Sequence, residues 1–341
     1  NYIIPESVSK IGDYAFGYST FKTINLKHVN EIGDYAFTYS CLEQINITDG
    51  IRSIGIGAFA YSYYLKELTI GHNLSIIPCE AFLYCNLVNL LIPANIIRID
   101  SRAFAFNTAL AEVKFAANSK CLVIGRSAFQ GNSSLTKVSL PDSLVSIGEM
   151  VFYQTSSLNE VVFSGSSSLN YIGAYAFAHT TSLESIILPL SLSEIAPYAF
   201  MGSKLNAVTI PKNVAILGEG AFASCHHLLA INVDSNNSNY LDVNGVVYNK
   251  NKTVVIAYPS GKTSSDYTVE ASTLEIGEAA FYGSNYLLSL TLPEGLTKVG
   301  QYGFYACENV ASYTLPESLS SIEEYAFANN KSLGSSLSIP D

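Results

Sequence analysis

Residues 135–152, LTKVSLPDSLVSIGEMVF, contain the pattern that most of the chain repeats. Its first half alternates apolar and variable residues as a half-buried strand does, and Pro141 ends that strand because proline cannot donate a ladder hydrogen bond. From Ile147 to Phe152 the apolar spacing is that of one tight helical turn. A unit this short cannot bury its own apolar face, so it requires copies of itself on both sides.

A phenylalanine anchor recurs thirteen times in the 341 residues, in steps of 21 to 25 with one step of 59. An aliphatic residue stands five positions before every anchor, and Ser, Thr, Asn or Cys stands three positions after it. The period predicts a single solenoid domain over residues 1–341, with about 13 repeats whose strands pair in parallel. The anchors are Phe16, Phe37, Phe59, Phe82, Phe104, Phe129, Phe152, Phe177, Phe200, Phe222, Phe281, Phe304 and Phe327.

The small residues after the anchors predict a ladder that satisfies backbone groups left open at each turn. Three of the six cysteines, Cys85, Cys225 and Cys307, occupy this position. We interpret them as buried fillers without disulfides. The other three cysteines lie at different repeat positions and lack metal-ligand spacing.

Composition narrows the class of protein. An apolar fraction of 48% with 13% charged residues predicts a continuous core and argues against disorder. A formal charge of −10 with scattered Lys and Arg argues against nucleic acid or an anionic membrane as a partner. No apolar run of about 18 residues occurs, so we expect no membrane insertion in this segment. Because residues 2–7 already read as the middle of a repeat, we expect a signal peptide or anchor to lie outside it.

The consensus L-x-x-I-x-I-P-x-x-L-x-x-I-G-x-x-A-F-x-x-C resembles the leucine-rich repeats of the BspA-like family of bacterial and protozoan surface proteins. The resemblance covers essentially the whole chain. From the spacing we expect an α/β repeat solenoid with a parallel β-sheet on one side and short helical turns on the other. The resemblance implies that this solenoid is a right-handed leucine-rich-repeat horseshoe, and that the protein adheres to host proteins or other cells.

The long step between Phe222 and Phe281 contains an insertion. Subtracting one period of 23 from 59 leaves about 36 residues. Two apolar runs, at 245–248 and 253–259, flank the polar turn Asn-Lys-Asn-Lys at 249–252. This pattern predicts an inserted β-hairpin segment at residues 234–266.

The sequence predicts no catalytic group, cofactor or metal. It contains no G-x-S-x-G, Walker or H-E-x-x-H motif, and its five histidines fall at different repeat positions. The adjacent pair His226 and His227 is open to two interpretations, a weak metal site or exposed loop histidines.

The strongest candidate for partner binding is the column two positions after the anchor. In the first five repeats it holds Tyr18, Tyr39, Tyr61, Tyr84 and Phe106. Equivalent positions of a parallel solenoid stack about 5 Å apart, so these rings predict a continuous aromatic ladder. Such a ladder either forms an exposed partner surface or packs to cover the edge of the coils.

Two further groups complete the candidates. Leu91, Val162 and Ile187 are apolar residues at strand positions that should face solvent. Tyr248 and Tyr258 lie in the predicted hairpin segment. All of these residues are predicted to contact a partner.

Together these features favour a non-enzymatic, adhesin-like protein, secreted or at the cell surface. Its predicted ligand is an extracellular protein of the host matrix or another cell surface. Two alternatives stay open: a structural stalk that presents another domain, and a glycan-binding module. The tyrosines favour the glycan-binding hypothesis, whereas the absence of tryptophan disfavours it.

Overall fold

The computed structural model describes residues 2–333 and the backbone of residues 337–338. The chain divides into two compact units, Asn1–Ser182 and Leu183–Asp341, and each is a stack of coils with parallel strand pairs. The single domain over residues 1–341 stays a prediction, and its part on residues 1, 334–336 and 339–341 lies outside the described residues.

The Leu-x-x-aliphatic segment of a repeat forms the strand that we call the front strand. Val138 is buried and Ser139 exposed, as expected of a strand with one solvated face. Val138 lies beside Val113 and Val161 of the adjacent front strands. The front strands of the first unit are Tyr2–Ile3, Ile24–Asn25, Gln44–Ile47, Glu67–Ile70, Asn89–Ile92, Glu112–Phe115, Lys137–Ser139 and Glu160–Val162.

A second set of strands, the side strands, ends at the aliphatic residue before each anchor. Ile147 pairs with Ile124 and Ile172, and all three are fully buried. The spacing predicted one parallel sheet, whereas most coils contribute a strand to each of two sets. The side strands of the first unit are Lys10–Ile11, Glu31–Ile32, Ser53–Ile54, Ile76–Ile77, Arg98–Ile99, Val123–Ile124, Ser146–Ile147 and Tyr171–Ile172.

The prediction of short helical turns is wrong, because no helix occurs among residues 2–333. Each anchor lies between two residues with positive φ: Met150 (57°) and Gln154 (58°) flank Phe152. An α-helix requires φ of about −63° at every consecutive residue. The segment instead forms successive turns, with hydrogen bonds such as that from Tyr153 N–H to the Met150 carbonyl at 3.1 Å.

The phenylalanine anchors form the core. From Phe37 to Phe177 all of them are fully buried, and neighbouring ring centroids lie 5.1 to 5.8 Å apart. Each ring is therefore supported from both sides, which makes the core continuous from coil to coil.

Many of the small residues after the anchors donate to the backbone of the preceding coil, as predicted, whereas the side chains of Ser19, Ser284 and Asn330 have no hydrogen-bond partner among the described residues. Ser62 Oγ donates to the Phe37 carbonyl and Asn107 Nδ2 to the Phe82 carbonyl, both at 2.9 Å. Buried thiols donate to anchor carbonyls in the same way at 3.1 to 3.2 Å, and all six cysteines are free. This confirms the interpretation of Cys85, Cys225 and Cys307 as fillers.

The second unit repeats this arrangement. Phe281 and Phe304 lie 5.0 Å apart, and Phe304 and Phe327 lie 5.3 Å apart. Its front strands are Ala207–Ile210, Ala230–Val233, Asp266–Thr268, Ser289–Thr291, Tyr313–Thr314 and Leu337–Ser338. Its side strands are Glu194–Ile195, Ile216–Leu217, Glu275–Ile276, Lys298–Val299 and Ser321–Ile322.

The insertion folds as three antiparallel strands, Tyr240–Val243, Val246–Asn249 and Val254–Ala257. The last two correspond to the predicted hairpin, whereas the first was not predicted. The third strand also pairs in parallel with the side strand Glu275–Ile276, and Tyr258 stacks 4.8 Å from Phe281. The 59-residue step therefore contains one more coil, whose anchor is a tyrosine.

Candidate partner-binding surface

Turn geometry fixes the residue two positions after each anchor. Its φ is 54° at Tyr39 and 61° at Tyr61, a conformation that costs a non-glycine residue about 1–2 kcal/mol. Hydrogen bonds to the next coil offset this cost: Tyr39 N–H donates to the Ala60 carbonyl at 3.0 Å and Tyr61 N–H to the Leu83 carbonyl at 2.7 Å. The side chains are thereby held at the same place in successive coils.

Five of these residues form one continuous stack, which we call the aromatic ladder. Successive ring centroids lie 5.1, 4.8, 5.5 and 4.6 Å apart, with ring planes within 13° of parallel. The stacking that the repeat register predicted is present, whereas its role in binding stays a prediction. The ladder consists of Tyr18, Tyr39, Tyr61, Tyr84 and Phe106.

The ladder exposes ring edges more than ring faces. Tyr18 is 72% exposed, Tyr39 40% and Tyr84 38%, while Tyr61 and Phe106 are half-buried. Neighbouring rings cover one another's faces, so the accessible atoms are the positively polarised ring edges and the phenol hydroxyls. Such a surface suits carbonyl oxygens and aromatic faces.

Tyr63 widens this surface and was not predicted. Its ring meets Tyr39 and Tyr61 edge-on, at 6.1 and 6.3 Å, and it is 52% exposed. Tyr63 lies outside the repeat column that defined the ladder. The signal that could have found it is the run Tyr-Ser-Tyr-Tyr at residues 61–64.

A shorter stack runs two positions before the anchors. Tyr14 and Tyr35 stack at 5.3 Å, again with positive φ. The ring of Tyr35 occupies the space that a Cβ on Gly57 would need, so glycine ends this stack. The column two positions before the anchor holds tyrosine in the first two repeats, and this pattern could have predicted the stack.

Two phenols of this surface, those of Tyr61 and Tyr63, have a raised pKa. Burial raises the pKa of Tyr61, and Tyr39 and Glu80 add to the effect. Burial also raises the pKa of Tyr63, with contributions from Tyr39 and Tyr84. These hydroxyls therefore remain hydrogen-bond donors across the physiological pH range.

The apolar residues predicted on the outer face of the front strands are exposed. Leu91 is 57% exposed, Val162 36% and Ile187 86%. Lys114 lies beside Leu91 and Ser139 beside Val162 in the strand register. Single exposed aliphatic residues are common on protein surfaces, so their role in binding stays a prediction.

Tyr248 and Tyr258 do not lie on the surface, which corrects the expectation that they face a partner. They are 0% and 4% exposed. The hydroxyl of Tyr248 lies 2.6 Å from that of Tyr267, and Tyr258 packs on Phe281. Both are buried because the third insert strand pairs with a side strand and joins the core.

No three His, Cys, Asp or Glu side chains converge on a possible metal site in the described part of the chain. Burial lowers the pKa of His226, and the neighbouring His227 adds to this. No helix suited to crossing a membrane occurs in residues 2–333.

Comparisons with known proteins agree with this architecture. The family model for the BspA type leucine rich repeat region matches residues 1–111, 122–252 and 257–341 in six copies. No curated protein matches the chain.

Solved structures of similar fold come from several bacteria. A leucine-rich cell surface protein of Faecalibacterium prausnitzii is 25% identical, with a TM-score of 0.61 and 72% of each chain covered. The pneumococcal vaccine antigen PcpA is 28% identical with a TM-score of 0.57, over 77% of this chain and 60% of PcpA. A leucine-rich repeat protein of Bacteroides ovatus is 20% identical with a TM-score of 0.55, over 95% and 85% of the two chains, and shows the fold alone.

Proposed function

Because the chain belongs to the family of BspA-type leucine-rich repeat regions, we propose that it is a non-enzymatic, adhesin-like protein, secreted or displayed at the cell surface. Its ligand in this proposal is an extracellular protein, held by the aromatic ladder and Tyr63. The observation that carries the proposal is the exposure of stacked aromatic side chains in the first unit. The surface location draws on the F. prausnitzii relative, which is described as a cell surface protein.

Two properties of the ladder suit a protein ligand. Exposed tyrosines are frequent hot spots of protein interfaces, and the left-handed turns already hold these side chains in place, so binding orders little. The stacking also covers most ring faces. A sugar, which needs an open aromatic face, has little to stack on there.

The test is a binding assay of the protein against a panel of purified extracellular-matrix proteins. The variant combines Tyr39→Ser, Tyr61→Ser and Tyr84→Ser. We expect it to lose at least about tenfold in affinity, with a thermal midpoint within about 4 °C of the parent because these side chains lie outside the anchor core. A matched control carries Tyr302→Ser and Tyr325→Ser, which removes a 5.3 Å tyrosine stack of the second unit.

Two outcomes would reject the proposal. If the triple variant unfolds far below the parent and its folded fraction binds normally, the rings serve only to cover the coil edge. If the parent binds no matrix protein, the role of a structural stalk is favoured instead.

A further inference from the structure

A group of polar side chains on the outer face of two front strands in the first unit takes no part in the hydrogen bonds of the fold. Gln44 lies beside Glu67 and Asn46 beside Thr69 in the parallel register. All four are exposed, and their side chains have no hydrogen-bond partner within residues 2–333. Since alternate residues of a strand share a face, the four side chains point to the same side.

Tyr64 borders this face. A hollow of about 320 Å³ is lined by Tyr64 together with Gln44 and Glu67, and an adjoining one of about 210 Å³ by Asn46 and Thr69 with the same two residues. Tyr64 is 59% exposed, and no second ring stacks on it in the described part of the chain. Unlike the inner rings of the ladder, it presents an open face.

We propose that this polar groove, formed by Gln44, Asn46, Tyr64, Glu67 and Thr69, binds a neutral oligosaccharide. The four polar groups are spaced about 4.8 Å across the strands and about 6.6 Å along them, close to the dimensions of a hexose ring with its hydroxyls. A side-chain amide offers a donor and an acceptor in one plane, which suits neighbouring sugar hydroxyls. The face of Tyr64 supplies the apolar platform for the C–H groups of the ring.

The charges around the groove favour an uncharged ligand. Glu43, which also lines the larger hollow, is paired with Lys22 at 2.7 Å. The remaining carboxylate, Glu67, and the ammonium group of Lys66 line the same hollow, so their formal charges cancel. The groove thus has no excess charge to attract a sialylated sugar or a basic peptide.

The groove is separate from the aromatic ladder, and adjacent tyrosines allow the two to be told apart. Tyr63 contacts ladder rings, whereas Tyr64 lines the groove. The inference therefore does not depend on the proposed protein ligand.

The test uses an array of defined hexasaccharides of glucose, mannose, galactose and N-acetylglucosamine, with sialylated glycans alongside, and calorimetry on the strongest neutral hexasaccharide. Tyr64→Ala and Asn46→Ala should each weaken its binding at least about tenfold. Tyr63→Ala should leave it within about twofold. All three residues are exposed, and circular dichroism checks that the variants remain folded.

Opposite outcomes overturn the inference. Absence of binding to every neutral hexasaccharide at millimolar concentration would do so, as would binding that survives both Tyr64→Ala and Asn46→Ala. Exclusive binding of sialylated glycans would contradict the charge argument. Binding of matrix proteins by the same variants is measured in a separate assay. Tyr64→Ala should leave that binding unchanged.

Discussion

The ring of Phe106 lies over Gly131, so that a Cβ on Gly131 would come within 2.5 Å of Phe106 Cδ1. Gly131 occupies the ladder column in the next coil and has φ of 70°. The ladder therefore ends at Phe106 for a steric reason: the last ring fills the space where a further side chain would begin.

This contact predicts that Gly131→Ala lowers the free energy of unfolding by at least about 1–2 kcal/mol, because a left-handed residue gains a Cβ and the Phe106 ring is displaced. Gln154 holds the same column with φ of 58° and carries a side chain already. Gln154→Gly should change stability by less than about 1 kcal/mol. Guanidinium unfolding of both variants measures the difference, and equal losses would contradict it.

The buried tyrosines of the second unit give a paired prediction. Tyr248→Phe removes the 2.6 Å hydrogen bond to Tyr267 and the 3.4 Å hydrogen bond that the Glu270 N–H donates to the Tyr248 hydroxyl, and should cost about 1–3 kcal/mol because two part-buried hydrogen bonds are lost. The Tyr258 hydroxyl has no hydrogen-bond partner among the described residues. Tyr258→Phe should therefore leave the free energy of unfolding unchanged or raise it by up to about 1 kcal/mol. Chemical denaturation measures the free energy of unfolding of both variants. A similar loss of stability in both would contradict the prediction.

Thiol reactivity should follow burial. Burial raises the pKa of Cys225 to about 11 and those of Cys121 and Cys307 to about 12, and it raises the pKa of Cys85 further. At pH 8 roughly one Cys225 thiol in a thousand is ionised, and the thiolate is the reactive form. Ellman's reagent should label only Cys41 and Cys79 in the native protein.

Labelling with Ellman's reagent in guanidinium provides the control, because all six thiols should react in the unfolded chain. Rapid labelling of more than two thiols in the native protein would show that the coils open far more often than the packing implies.

A carboxylate in the second unit predicts a pH dependence. Burial, together with Glu219 and Glu323, raises the pKa of Glu278 above its ordinary value of 4.5. The folded protein then holds this proton more tightly than the unfolded chain. Its stabilising contribution is complete below the ordinary pKa and is lost as pH rises through the folded pKa.

Glu278→Gln should accordingly raise stability at pH 7 by up to about 1 kcal/mol, the range of exposed charge interactions, and give little gain at pH 4. Thermal midpoints between pH 4 and pH 8 test this. Glu294→Gln, at an exposed carboxylate of the same unit, is the matched control, and an equal gain in both variants would contradict the assignment to Glu278.

Periodicity alone predicted much of the fold and the aromatic ladder. In a stack of parallel coils, residues one period apart in sequence are neighbours in space. A column such as Tyr18, Tyr39 and Tyr61 can therefore be read as a contact list before any coordinates are known. The same logic identified Cys85 as a filler equivalent to Ser62, and both donate to anchor carbonyls.

Features without a repeat counterpart could not be predicted in this way. Tyr63 and Tyr64 are adjacent in sequence and belong to no column of aromatic residues. Tyr63 nevertheless contacts the ladder, whereas Tyr64 lines the polar groove. Which surface each meets depends on the neighbouring coil and on the turn that precedes them. Their exposure and ring contacts follow from the assembled structure.

The coil, its anchors and the stacking of equivalent residues follow from the amino-acid sequence alone, because they depend only on a period and on burial of an apolar face. The conformation of the turns and the fold of the insertion depend on contacts between coils. The spacing of Ile147 and Phe152 suits a helix, but pairing with both adjacent coils imposes left-handed residues at Met150 and Gln154. Likewise, Tyr258 becomes an anchor because its strand pairs with Glu275–Ile276, a long-range contact that no local pattern encodes.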